Sequence, residues 1–511
     1  MRILSQTRPL ALPHELWRQV MSDMSFTEQR ACLSVCRPFR ELSLPFVFSH
    51  VTVRLGKCRH GPDPSEDWTD EEKAEAILAT ERSRELLEHI VKSPEFAKLV
   101  KRITVLAYMP SSSAHPEDTI HALVETLQVL HLREFSWYGC GPEPQTEVLY
   151  ALAEKSCTSL SKLILPPQIP ALCMALSLIE NLQSLSFVPR YYYGDSSDDY
   201  SGTDNNDKMA LTAEVNRRSL RYLCIPGEVF ARCSTWSFSA LVDLALLSPV
   251  DSVGLHSVFE DLTQLRSLTI CIDHDSNGDT MADTFEEHVD ALPHLKSFKL
   301  LAIWMTAEDM NAIAAFLKHK AASLERLDIV NQTRGGPGLE SEPIVSILLD
   351  LPHLTVFGCD VRTRRLTADH LVRLSACIPR QVTALVLNIA IDVQWDATED
   401  DWARFFETQH ACRYLHIITD CQRVSLDLQT IATQHPPEAL ELLGYNNALR
   451  WVSRGGDAAS DRDGGVWPPS RVYFRTVEDF EGHEEWEWLL RHHGQDVPLP
   501  TPMSLGFGTS E

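Results

Sequence analysis

Apolar positions along most of this chain fall into one recurring template. From residue 99 onward Leu-x-x-Leu-x-Leu, with aliphatic, aromatic or cysteine substitutes, occurs thirteen times. The series runs Val100/Ile103/Val105, Leu132/Phe135/Trp137, Leu160/Leu163/Leu165, Leu182/Leu185/Phe187, Leu220/Leu223/Ile225, Leu241/Leu244/Leu246 and Leu265/Leu268/Ile270. It continues through Leu295/Phe298/Leu300, Leu324/Leu327/Ile329, Leu354/Phe357/Cys359, Val382/Leu385/Leu387, Cys412/Leu415/Ile417 and Leu440/Leu443/Tyr445. The alternation within each run predicts a short strand. Segments of helical pattern lie between many of them, at 116–130, 306–320, 366–378 and 398–410, and Thr306-x-x-Asp309 and Thr367-Ala-Asp369 read as helix starts. Strand, helix, strand at this rhythm predicts right-handed crossovers and a parallel sheet curved by stacking.

The first fifty residues follow a different rhythm. Leu16, Val20 and Met24 recur every four positions, widened by Trp17 and Met21, so a short amphipathic helix opens at Pro13. Ser25 and Glu28 have the spacing of a capping box. A second helix is expected to carry Cys32, Val35, Cys36, Phe39 and Leu42 on one face and to end at Pro45. Val51, Val53 and Leu55 then alternate with Thr52 and Arg54 as a strand. Helices this short cannot bury a core alone, so they need a partner, the rest of the chain, or both.

The run from Leu12 to Phe48 resembles an F-box. Leu12-Pro13-His14-Glu15-Leu16 supplies the Leu-Pro-x-Glu-Leu opening of that family, and Val35-Cys36-Arg37-Pro38-Phe39-Arg40 supplies its Val-Cys-Arg-x-aromatic-Arg segment. Phe39 stands where many members have tryptophan, and the continuation through Pro45 and Phe48 is similar to the form abundant in mushroom-forming fungi. Downstream, the template starts are 21 to 38 residues apart, most of them 28 to 32. That resembles irregular leucine-rich repeats, whose period is about 20–29 residues. The expected fold is therefore α/β: an N-terminal helical F-box followed by an irregular leucine-rich-repeat solenoid, a curved parallel sheet with outer helices.

This resemblance implies the substrate-recognition subunit of a Skp–cullin–F-box ubiquitin ligase. The F-box would hold the small acidic adaptor subunit, the repeats would hold a target protein, and the chain would have no ubiquitin-transfer chemistry. On the F-box pattern, Leu12, Pro13, Leu16, Val20, Leu33, Val35, Cys36 and Phe39 are expected to line the adaptor interface or support it. The alternative is an interaction scaffold unrelated to ubiquitination that uses the solenoid alone.

Charge sharpens this picture. The chain has 46 Lys/Arg against 71 Asp/Glu, a net of −25. Residues 1–60 hold nine basic and four acidic side chains, a net of +5, which leaves −30 for the remainder. Such acidity points away from nucleic acid and anionic membrane as partners, whereas the basic N-terminal segment suits an acidic adaptor. The 13 cysteines include no Cys-x-x-Cys pair. That fits reduced, mostly buried thiols in a cytoplasmic or nuclear protein better than a disulfide scaffold or a structural zinc site. The N-terminus lacks the apolar stretch of a signal peptide, and the run Ile169–Ile179 is too short to span a bilayer.

Phosphate-binding glycine loops, dinucleotide fingerprints, nucleophile elbows and paired-histidine zinc helices are missing from the sequence. No catalytic residue, metal or cofactor is expected. Asp273, Asp275, Asn277, Gly278 and Asp279 match half of a calcium loop, but Thr284 stands where a bidentate glutamate is needed. An acidic inter-repeat loop is the expectation.

The expected divisions are a tail (1–9), the F-box-like helices (10–50), a linker strand and helix (51–98), the solenoid (99–450), a loop and C-terminal cap (451–493) and a second tail (494–511). Residues 190–208, rich in Asp, Ser and Tyr, are expected to form a flexible insert. The acidic, aromatic stretch 477–493 is expected to be a helix covering the open end of the stack. Residues between the leucines of each strand face away from the core. On that ground Tyr222, Asp243, Arg266, Thr269, Lys299, Arg326, Asp328, Tyr414 and His416 are expected to form a target-binding wall.

Overall fold

Each template run forms one strand, and the strands stack side by side in chain order. The computed structural model describes residues 12–24, 26–56, 69–109, 116–166, 174–187, 203–249, 252–272, 281–302, 305–331, 342–361, 365–389, 394–419, 426, 428–445, 448–452 and 483–490. The strands are β1 His50–Gly56, β2 Arg102–Tyr108, β3 Glu134–Gly141, β4 Lys162–Leu165, β5 Ser184–Phe187, β6 Tyr222–Ile225, β7 Asp243–Pro249 and β8 Ser267–Ile272. They continue as β9 Ser297–Ala302, β10 Arg326–Asn331, β11 Val356–Val361, β12 Arg365–Leu366, β13 Ala384–Ile389, β14 Gln394–Trp395, β15 Tyr414–Thr419, β16 Leu442–Tyr445 and β17 Ala448–Trp451. Fifteen of them form one sheet, with β12 and β14 paired separately beside it. Fourteen strands of the large sheet run parallel; β17 turns back antiparallel to β16.

The register keeps equivalent side chains abreast. Ile103, Phe135, Leu163, Leu185, Leu223, Leu244, Leu268, Phe298, Leu327, Phe357, Leu385, Leu415 and Leu443 form a single ladder across the sheet. All are buried. The outer helices cover this face, and Leu123, Leu149, Phe316, Trp402 and Phe406 join the ladder in one continuous core. A repeat that cannot bury its apolar face alone does so against its neighbours. Polar helix starts fix the crossovers: Thr306 caps with Asp309, Thr398 with Asp401, and Thr367 with His370.

The sheet begins one repeat earlier than the sequence division suggests. Phe48/Val51/Val53 fits the same template, β1 pairs in parallel with β2, and Val51, Val53 and Leu55 are buried. Helix Asp70–Lys92, capped by Thr69 and Glu72, packs against β1 and buries Leu87 and Ile90. Strand β1 and helix Asp70–Lys92, placed in a linker by the sequence division, thus pack as the strand and helix of a repeat.

One other expectation changes in part. Residues 203–208, assigned to a flexible insert, open helix Thr203–Asn216, and Asp207 pairs with Arg232 at 2.5 Å. The rest of that insert, 190–202, lies outside the described residues, as does the calcium-like stretch 273–280. Thr284 itself is buried in helix Met281–Glu287.

The N-terminal module has three helices: α1 His14–Ser22, α2 Phe26–Cys32 and α3 Arg37–Val47. The expected single second helix breaks at 33–36, where Cys36 is extended (φ −162°, ψ 167°) and Pro38 restarts the helix within its first turn. Pro45 sits inside α3. It is tolerated there because it lies in the last turn and removes a single ladder hydrogen bond. Ser25 lies outside the described residues. Met21, Cys32 and Leu42 form a small core with Trp17 and Phe39, whose rings meet edge to face at 5.0 Å. Gln29 Nε2 donates to Met21 O and Met24 O, both at 2.9 Å, satisfying carbonyls at the end of α1.

Candidate functional site

Two surfaces emerge from this architecture. The first is on the N-terminal module. Trp17 and Met21 turn inward, and the positions beside them turn out. Leu12, Leu16 and Val20 are 42%, 46% and 41% exposed and lie four residues apart; Val35, in the break before α3, is 64% exposed. Pro13 and Cys36 are exposed, while Leu33 and Phe39 are half-buried, Phe39 supporting Trp17. A module this small spends half its apolar residues on its own core and presents the rest to solvent. Arg18, Arg30, Arg37 and Arg40 are exposed on the same three helices, with Arg37 bonded to Glu41 at 2.8 Å.

The second surface is the face of the sheet opposite the outer helices, where nine residues were expected to form an open wall. Arg266 is exposed, and Tyr222, Asp243 and Arg326 are half-buried. Thr269, Lys299, Asp328, Tyr414 and His416 are buried, the last four completely, and so cannot contact a target in this arrangement. For Lys299 and Tyr414 the cover is the C-terminal helix Glu484–Leu490, while Asp328 pairs with Lys299 and His416 with Tyr414. The helix does not cap an end of the stack. It lies on this face, packed against β11 and β13. Trp486, Trp488, Leu489 and Leu490 form a second apolar cluster there with Val356, Ala384, Val386, Tyr414, Ile418, Leu442 and Leu449.

The contacts at this cluster are specific. Lys299 Nζ lies 2.9 Å from Asp328 Oδ2 and donates to Trp488 O and Leu489 O, each at 2.9 Å. It also stands 4.9 Å from the Trp488 ring centroid. A cation at the carbonyl end of a helix opposes the negative pole of its dipole. Gly358 makes the room: a Cβ there would come within 2.1 Å of Asp328 Oδ1 and 3.0 Å of Leu489 Cδ1. Tyr414 stacks on Trp486 at 5.4 Å and its hydroxyl bonds His416 Nδ1 at 2.7 Å.

At the near end, His483 stacks on Trp486 with ring centroids 3.8 Å apart. Burial, helped by the charge of Arg413, holds the His483 imidazole below its usual pKa of 6.5. Arg413 is held by Glu441 through two hydrogen bonds of 2.9 Å. The docking place of the helix and the role of Gly358 escaped the sequence reading. Part of the signal was available: ALVLNI carries Ala384 and Val386 on its second alternating set as well as leucines on the first, the mark of a strand buried on both faces.

Among the described residues one group could hold a metal: His256, Glu287 and His288. His256 Nδ1 lies 2.6 Å from His288 Nε2, and its other nitrogen, Nε2, faces Glu287 at 3.9 Å. The two partners meet different nitrogens of one ring, so the group is a histidine–histidine hydrogen bond between adjacent repeats with a carboxylate nearby. No described helix is long and apolar enough to cross a membrane.

Comparison with known proteins bears on the first surface. A family profile described as F-box domain matches residues 9–48. No curated protein matched the chain. Among solved structures, the leucine-rich repeat-containing protein LegL7 from Legionella pneumophila is 13% identical over 66% of this chain and 91% of its own, with a TM-score of 0.32. A protein from Bacteroides fragilis is 12% identical over 63% and 76%, with a TM-score of 0.30. Human 5T4 (Wnt-activated inhibitory factor 1, trophoblast glycoprotein) is 18% identical over 42% and 77%, with a TM-score of 0.25. The chain therefore carries an F-box domain at its N-terminal end, joined to an α/β solenoid whose parallel sheet holds its own C-terminal helix.

Proposed function

We propose that the chain is the substrate-recognition subunit of a Skp–cullin–F-box ubiquitin ligase, with the F-box holding the adaptor and the repeats holding a target protein. The observation that carries this reading is the exposed stripe Leu12, Leu16 and Val20 with Val35 beside it. Apolar side chains aligned on one helix face are a cost in water and a gain against a partner, worth about 1 kcal/mol for each half-exposed Leu or Val that becomes covered. The match at residues 9–48 falls on the same helices. Exposed arginines on these helices favour an acidic partner, chiefly by speeding encounter. The receptor would work by holding a target near a charged conjugating enzyme, with no bond made or broken by its own side chains.

The test is capture of purified adaptor by the full chain and by Leu16→Ala/Val20→Ala. Neither side chain belongs to the small core, so the variant should fold. Truncating central apolar contacts should cost at least about 2 kcal/mol, roughly thirtyfold in affinity. Full-strength capture by a folded double variant would reject the adaptor assignment and leave the solenoid as an interaction scaffold of another kind.

A further inference from the structure

The sheet face over β9–β15 has the properties of a binding site with a resident. Three kinds of recognition converge on seven residues of helix. Lys299 reads two backbone carbonyls at the helix end, which any helix can supply. Tyr414 reads one indole by stacking, and the apolar patch of Val356, Val386 and Leu442 takes the remaining side chains. Gly358 keeps the approach open. Meanwhile Glu484, Glu485 and Glu487 are polar positions of the same helix that stay off the apolar cluster. A parallel sheet in a repeat stack needs covering on its helix side; the opposite face does not ordinarily present a buried lysine to a helix end.

We propose that this face is a recognition site for short helices carrying a Trp-x-Trp-Leu-Leu-like apolar side and acidic flanks, that residues 484–490 fill it in cis, and that a target protein is captured by a helix of the same chemistry replacing them. The proposal rests on the receptor reading for the identity of the incoming helix as a target, but the site itself is independent of the F-box. Competition in cis sets the affinity. A tethered helix acts at a high effective concentration, and the apparent affinity for an incoming helix falls by the fraction of molecules with the site vacated.

The experiment uses the full chain and a fluorescein-labelled peptide of residues 478–493, followed by fluorescence anisotropy. In Trp486→Ala/Trp488→Ala the resident helix is weakened, and the peptide should bind at least about tenfold more tightly than to the wild-type chain. Adding Lys299→Met to that variant should reverse the gain by at least about tenfold. In the wild-type chain, excess peptide should speed amide exchange at Trp488, Leu489 and Leu490, a readout that needs no variant to fold. Unchanged exchange, or a folded tryptophan variant that binds no better than wild type, would overturn the proposal; so would peptide binding indifferent to Lys299→Met. Adaptor capture by the same variants separates the two readings. Lost peptide binding with adaptor capture intact rejects this site alone, whereas failure of adaptor capture in the wild-type chain rejects the receptor reading.

Discussion

Lys299 is the residue whose loss the structure prices most sharply. Its side chain and that of Asp328 have no solvent exposure, and the charged atoms are 2.9 Å apart. At that distance and an effective dielectric of 20 the gross attraction is about 6 kcal/mol, most of which only offsets taking both charges out of water. The pair as a whole therefore adds little net stability. Breaking it does not: Lys299→Met keeps the length of the stem but leaves the Asp328 carboxylate buried without this cation, and such half-pairs cost about 3–5 kcal/mol. The helix also loses two hydrogen bonds from a charged donor, at Trp488 O and Leu489 O. Lys299→Met/Asp328→Asn removes both charges and should recover all but about 1–2 kcal/mol of the loss, that remainder being the helix contacts. Urea denaturation followed in parallel by far-ultraviolet circular dichroism and tryptophan fluorescence would measure both. The single variant should lose the fluorescence signal of the C-terminal helix at lower urea than the sheet signal, because the lost contacts are those that hold the helix to the sheet. A single variant within about 0.5 kcal/mol of wild type, or a double variant as unstable as the single, would refute this account of the buried pair.

Two further outcomes follow from the same contacts. Cys36 is exposed on the F-box face while Cys233, Cys359 and Cys412 are buried, and burial raises all three of those thiols, Cys233 and Cys412 to about 12. Iodoacetamide mapping by mass spectrometry should label Cys36 and spare those three, and saturating adaptor should slow Cys36 labelling at least about fivefold; equal rates with and without adaptor would count against the assigned face. The lowered pKa of His483 means the native chain binds fewer protons than the unfolded one, so its contribution is present above pH 6.5 and lost as pH falls through 6.5 toward the lower folded value. Arg413, Glu441, Glu484 and Glu485 are the charges around it. Docking of the C-terminal helix, read by tryptophan fluorescence, should loosen over that interval in wild type and not in His483→Gln; equal titrations in both would exclude His483 as the cause.

Much of this protein was legible from periodicity, and the limits of legibility are physical. The core ladder from Ile103 to Leu443 could be read because each strand repeats one spacing and buries one set of side chains against helices. The F-box helices could be read from paired motifs, yet the break before Arg37 could not, since Leu33 to Cys36 continue an apolar pattern and only the extended Cys36 and the proline after Arg37 end it. The first strand was read as a strand but not as a repeat, because Phe48 serves both the end of the F-box pattern and the start of a repeat. The C-terminal helix was read correctly as acidic and aromatic, but its docking place was not, because sequence periodicity describes a strand's two faces without saying what lies on the second.

The second face changes character along the sheet in a way that ties these observations together. The position one residue after each core ladder residue is Thr104, Ser136, Ile164, Ser186, Cys224, Ala245 and Thr269 in the earlier repeats, uncharged throughout and small apart from Ile164. In later repeats the same column reads Lys299, Asp328, Gly358, Val386, His416 and Gly444. An isolated solvated face would not need a glycine opposite a carboxylate, nor a second glycine at 444, where a Cβ would come within 2.4 Å of the His416 ring. The column is shaped for close approach: two glycines admit bulk, and the charged pair and the Tyr414–His416 bond provide fixed polar contacts around it. Shape and charge of this kind are what selective capture of a helix requires. If the face served only to store the chain's own terminus, an apolar column would suffice and the buried lysine would be a liability, since apolar replacements of a buried pair are commonly as stable or more so. The retained Lys299–Asp328 pair therefore argues for discrimination between helices, and it predicts that the Lys299→Met/Asp328→Asn chain, although nearly as stable, will distinguish the Trp-x-Trp-Leu-Leu peptide from a scrambled one less well than the native face does.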